Sequence, residues 1–154
     1  MHNQAKEEAV TSLHDLSAVD LLAGYRSKQF SPSEVLEDVL ANIAVWEPHI
    51  KALYAFDPEG ARAAARASTE RWQNGRHSGS LDGVPVTIKD NIATKGVPVP
   101  LGTAAMRLVA APADAPPAAR LREAGAVIFS KTTMPDYGML SSGLSSFHPL
   151  TRNP

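Results

Sequence analysis

The chain has 154 residues, 44% of them hydrophobic and 20% charged, with no cysteine and a formal net charge of -1, the profile of one ordinary globular domain. Fifteen basic residues against sixteen acidic ones, with no basic run interleaved with aromatics, leave no footprint for nucleic acid. The lack of thiols excludes a disulfide framework, a zinc–thiolate centre and a cysteine nucleophile, and with no signal-peptide pattern and no apolar run of about eighteen residues, no membrane partner is expected and the compartment expected is cytoplasmic.

Residues 1–14 are expected to be flexible, and residues 15–75 to form a helical lead-in. Ser17, with Asp20 three positions on, resembles a capping box, and Ala18, Leu21, Leu22 and Tyr25 then recur at helical spacing, with Gly24 as the one weakening residue. Ser31 is placed to cap a second helix, with Pro32 at its first position and Glu34 at its third. Val35, Leu36, Val39, Leu40, Ile43 and Trp46 supply its apolar face, and Pro48 is expected to close it. Leu53 to Phe56 reads as a short strand. Asp57 and Pro58 then repeat the cap-and-proline signal ahead of an alanine-rich helix that ends near Gly75.

Asn74 to Gly83 is rich in Gly, Ser and Asn and reads as a surface loop delivering the chain into a strand, Val84 to Lys89. A connection rich in Pro, Gly and Ala leads to a helix from about Ala115 to Glu123, with Asp114 as its expected cap and Gly125 at its end. Ala126 to Phe129 is a continuous apolar run, as in a strand covered on both faces. Strand, crossover helix and strand make a βαβ unit with a parallel pair, so the fold class is α/β. The last twenty or so residues, full of Ser, Gly and Pro, read as irregular.

Alternation puts Val84, Val86 and Ile88 on one face of their strand and Pro85, Thr87 and Lys89 on the other. Lys89 therefore ends an otherwise apolar strand. Two readings stand side by side: a lysine that lays its stem on apolar surface and keeps its ammonium in water, or a base. A lysine base must be uncharged to accept a proton, which burial favours, and it can then activate a serine where no histidine does so.

Gly83-Val84-Pro85-Val86-Thr87-Ile88-Lys89-Asp90-Asn91 resembles the lysine strand of the amidase-signature family. It is followed in order by Leu101-Gly102-Thr103, by Ala111 to Ala115, by Leu121 to Ile128, by Lys131 to Gly138 and by Thr151-Arg152-Asn153-Pro154, each similar to a family element. The likeness covers most of the chain from about Asp15. It departs at Thr133, where the family usually has Asn, and at Ser130, where it usually has Gly, so the turn there is expected to differ.

The resemblance implies a partial α/β/α domain around a mixed, largely parallel sheet, with residues 83–154 as the start of a catalytic core, and hydrolysis of a small-molecule amide by a Ser-Ser-Lys triad. Lys89 takes the place of the family's lysine, which accepts the nucleophilic serine's proton through a bridging serine. Both serines lie, in the family, beyond the Asn-Pro pair, so the chain as given is expected to lack the nucleophile and to be inactive alone. Tyr137, Gly138 and Met139 are implied to border the bound amide, with core packing the alternative for Tyr137 and Met139. Asp90 and Asn91 are implied to brace the lysine strand, against the plainer reading of a turn pair.

Ser141, Ser142, Ser145 and Ser146 could be offered as local nucleophiles for Lys89, but serines among Gly and Pro are the ordinary composition of a solvated loop. Lys131 reads as structural. The five histidines, His2, His14, His49, His77 and His148, show no metal-ligand spacing, so no metal is expected, and without a glycine-rich phosphate loop no cofactor is implied. A cut sheet would expose an edge and an apolar face, so self-association or a complementing partner is the alternative to catalysis.

Overall fold

The computed structural model describes residues 12–154. The flexible start expected at 1–14 falls mostly on residues outside that range; within it, Leu13–Asp15 form a short 3-10 turn and His14 Nδ1 lies 2.6 Å from a carboxylate oxygen of Asp38. Four α-helices and three strands follow: α1 (Ala18–Ser27), α2 (Pro32–Ile50), β1 (Leu53–Tyr54), α3 (Pro58–Gln73), β2 (Pro85–Lys89), α4 (Pro116–Glu123) and β3 (Val127–Thr132).

The helix starts follow the local chemistry. Ser31 completes a full capping box with Glu34 at the head of α2, and Asp57 accepts the Gly60 N–H at 2.9 Å at the head of α3. At α1, Ser17 accepts the Asp20 N–H at 3.2 Å and donates its own hydroxyl hydrogen to the Asp20 carboxylate at 2.6 Å. Gly24 is not a flaw in α1: a Cβ there would lie 2.1 Å from the Phe30 ring, so the missing side chain makes room for it.

Three boundaries are corrected. Pro48 does not close α2, which runs on to Ile50; proline's φ fits a helix, and losing one N–H is tolerated this close to the end. Glu47 then accepts the N–H groups of Ala52 at 3.2 Å and Leu53 at 2.9 Å, which turns the chain into β1. Asp114 does not cap α4, whose cap is Ala115; its carboxylate instead accepts from the Lys95 N–H at 2.7 Å and Arg122 Nε at 2.8 Å. β3 extends past the apolar run to Thr132 because Ser130 and Lys131 are buried in it as well.

The sheet order is β1-β3-β2, with β2 and β3 parallel and β1 antiparallel to β3. The βαβ expectation thus holds, inside a small mixed sheet. A register irregularity falls between Val86 and Thr87. One core cluster joins Leu36 and Leu40 of α2 and Ala61 and Ala65 of α3 to Val127 and Phe129 of β3. A second joins Leu21 and Tyr25 of α1, Val35 and Trp72 to Val84 at the entry to β2. The segment read as a surface loop ends buried: Asp82 is fully enclosed and accepts from Ser68, Arg71 and the Ser78 N–H. Helix α3 therefore grips the chain just before the strand that carries Lys89.

Candidate functional site

Lys89 is the last residue of β2 and is exposed. Its Nζ donates to the carbonyl of Thr133 at 3.2 Å, so the lysine bridges from β2 to the residue just past β3. Beside it opens a cavity of about 420 Å³, lined among others by Thr133, Pro135, Ser141, Ser142 and Arg152. Strand end, post-strand turn and terminal loop meet around this cavity.

Asp90 points the other way, into the protein, and is fully buried. Its carboxylate accepts the N–H groups of Leu101 at 3.1 Å and Gly102 at 2.9 Å, while its own N–H donates to the Thr132 carbonyl at 3.0 Å. Asn91 is exposed, and among the described residues its side chain makes no hydrogen bond. The turn held by Asp90 needs glycine at 102: φ is +68°, and a Cβ there would lie 2.4 Å from the carbonyl oxygens of Met134 and Pro135. Through that contact the turn reaches the floor of the Lys89 cavity.

Composition and spacing gave no hint of His148. It is buried, and its Nε2 lies 2.6 Å from Asp90 Oδ2. Its ring meets those of Tyr54 and Phe147 edge-on, with centroids 5.1 and 4.9 Å away. The partners stand 58 positions apart, so no local pattern could have announced the pair.

Lys131 is likewise buried, its Nζ donating to the Ile92 carbonyl at 2.8 Å. Burial pulls its pKa below the usual lysine value, and the charge of Asp90 acts against that pull. It ties β3 to the loop after Lys89, a structural position.

The serines divide. Ser145 donates to the Gly102 carbonyl and Ser146 to the carboxylate of Asp136, so both are engaged in holding the loop. Ser141 and Ser142 face the cavity, yet no hydrogen bond joins any of the four to Lys89 among the described residues. Tyr137 and Met139 are 54% and 81% exposed. With Gly138 they form a turn between Pro135 and Ser141 of the cavity lining, Tyr137 and Gly138 both at positive φ, and none of the three lines the cavity itself. Thr133, standing where Asn is usual, bonds through its hydroxyl to that of Thr151 at 2.7 Å and so fastens the terminal loop to the end of β3. Among the described residues no group of His, Asp and Glu converges in a way that could hold a metal ion, and no helix is long and apolar enough to cross a membrane.

A family model described as Amidase matches residues 34–154. Curated relatives include a Glutamyl-tRNA(Gln) amidotransferase subunit from Chloroflexus aurantiacus, 39% identical over 145 residues, covering 94% of this chain and 30% of the relative. The like-named protein from Anaeromyxobacter sp. (strain K) is 40% identical over 132 residues, covering 86% and 27%. Among solved structures, the peptide amidase from Stenotrophomonas maltophilia superposes with a TM-score of 0.79 at 28% identity, over 90% of this chain and 30% of that one. A bacterial aryl acylamidase of the amidase signature family gives 0.79 at 29% identity, over 93% and 30%. The chain thus spans about 30% of the length of such relatives.

Proposed function

The chain belongs to the amidase (amidase-signature) family, and from that premise we propose that it supplies the lysine arm and one wall of a site that hydrolyses the carbon–nitrogen bond of a small amide. The observation that carries this reading is Lys89 at the end of β2, its amine held on the Thr133 carbonyl at the mouth of a cavity of about 420 Å³. Lys89 acts as the base of a Ser-Ser-Lys triad, taking the proton of the attacking serine by way of a bridging serine. As the serine oxygen adds to the carbonyl carbon, backbone N–H groups stabilise the developing oxyanion. The amine then departs with a proton, and water releases the acid.

Neither triad serine is among residues 1–154. Ser145 and Ser146 are engaged elsewhere, and Ser141 and Ser142 sit on an exposed loop, with no hydrogen bond to a base among the described residues. Lys89 is exposed at the mouth of the cavity. Tyr137, Gly138 and Met139, on the turn between two stretches of the cavity lining, border the amide's acyl side, while Asp90 braces the strand end from beneath.

The purified chain, offered simple aryl amides and peptide amides together with a fluorophosphonate that labels activated serines, is expected to show neither turnover nor labelling. Turnover that disappears in Lys89→Ala, with label on Ser141 or Ser142, would overturn the assignment of the nucleophile.

A further inference from the structure

Among the buried groups that the mechanism leaves unused is the imidazole of His148. The hydrogen bonds around it close a ring. Asp90 Oδ2 accepts from the Gly102 N–H at 2.9 Å; the Gly102 carbonyl accepts from the Ser145 hydroxyl; the Ser145 oxygen accepts from the His148 backbone N–H at 2.9 Å; and His148 Nε2 returns to Asp90 Oδ2 at 2.6 Å. Three segments remote in sequence are thereby joined: the end of the Lys89 strand, the 101–102 turn and the terminal loop.

Chemistry fixes the direction of the last bond. A buried carboxylate already accepting from two backbone N–H groups offers only further acceptor capacity, so Nε2 carries the hydrogen and donates it. A bond from N–H to a carboxylate at this distance in a water-poor site is among the stronger kinds. Among the described residues, this bond is the one fully buried polar tie of those that hold the terminal loop to Asp90 and the 101–102 turn. Leu140, Leu144 and Leu150 are each at least 45% exposed, and the loop's other ties are the Ser146 hydrogen bonds with Asp136, Thr103 and the Ala104 N–H, the Phe147 ring edge-on to Tyr54, the Thr133–Thr151 hydroxyl pair, the Thr151 hydroxyl on the Lys51 carbonyl and the Arg152 N–H on the Ile50 carbonyl. This same loop carries Ser141, Ser142 and Arg152, the far side of the Lys89 cavity.

We propose that His148 is a positioning residue for the Lys89 site: clasped to Asp90, it sets the terminal loop against the strand end and so fixes the spacing of the cavity's two walls. The clasp acts through Asp90 and does not touch substrate. It builds on the assignment of Lys89 but is measured without it, because its readout is the loop and not the reaction.

The test is amide hydrogen exchange and NMR on the 154-residue chain, comparing wild type with His148→Leu, His148→Gln and Ser145→Ala. In wild type the His148 Nε2–H gives a protected resonance that vanishes in Asp90→Asn. His148→Leu speeds exchange at Leu101, Gly102 and residues 145–152 by about tenfold or more, as loss of a charge-assisted hydrogen bond requires, while α2 and α3 exchange as before. His148→Gln, which keeps an N–H donor, restores a good part of that protection. Ser145→Ala breaks the ring away from the imidazole and opens the same amides, so the result stands even if the leucine variant fails to fold. Loop exchange unchanged within about twofold in Ser145→Ala and the histidine variants, or loss of protection spread equally over α2 and α3, would overturn the clasp and leave His148 as core filling. Inactivity or activity of Lys89 variants bears on the base alone and leaves this result untouched.

Discussion

Asp82 shows how single residues set the site's foundation. Burial opposes its charge, but the hydrogen bonds from Arg71, the Ser78 N–H and Ser68, with the charge of Arg71, outweigh that cost and hold its pKa below the ordinary 3.8. A carboxyl whose folded value lies below its unfolded one adds stability that is complete above the unfolded value. That stability is lost as pH falls from 3.8 through the folded value. Resistance to urea unfolding should therefore fall steeply below about pH 4. Asp82→Ala should flatten that acid limb and cost about 3 kcal/mol at pH 7, since it strands Arg71 and Ser68. An unchanged acid limb would mean that other carboxylates carry it. Lys89 was legible in the sequence because a strand pattern and a contiguous motif surround it. Asp82 was not, because its partners lie on a helix wound well before it, and His148 was still less so, 58 positions from Asp90.

At the scale of elements, sequence signals located starts better than ends. Starts depend on side chains that reach the neighbouring backbone, as in the Ser31–Glu34 box, and those chemistries are local. Ends depend on what packs nearby. Pro48 looked like a stop, yet α2 carries it for a further two residues to Ile50; β3 looked finished at Phe129, yet its polar continuation is buried with its hydrogen bonds met by the carbonyls of Tyr54 and Ile92. Gly24 makes a sharper test, because propensity and packing disagree in sign. Alanine favours an isolated helix over glycine by about 1 kcal/mol, but here its Cβ would fall 2.1 Å from the Phe30 ring. Gly24→Ala should therefore lower the thermal midpoint, at a net cost of about 1–3 kcal/mol; a raised midpoint would show that Phe30 moves aside freely.

Across the whole molecule, the helical layer and the three-stranded sheet enclose a real core, yet apolar surface remains open. Val45, Trp46 and Phe56 are 61%, 48% and 41% exposed, and a cavity of about 340 Å³ runs between Ile43, Trp46, Ile50 and Leu53 beside the two-residue edge strand β1. Surface of this kind asks for cover. Fold class and the position of the lysine could be read from the sequence because strand, helix and strand fix a parallel pair almost by themselves. The walls of the cavity could not, because the terminal loop has no periodicity and takes its place from contacts with Asp90, Gly102 and Lys51.

The most direct test of Lys89 as the base is a chimera. In it, this chain replaces the matching 30% of the Stenotrophomonas maltophilia peptide amidase, with which it superposes at a TM-score of 0.79, and release of ammonia from a peptide amide is followed. The account predicts measurable hydrolysis with Lys89 and a fall of at least about a hundredfold in Lys89→Ala, the scale expected when one member of a catalytic unit is removed. A folded, active chimera whose rate survives Lys89→Ala would contradict it.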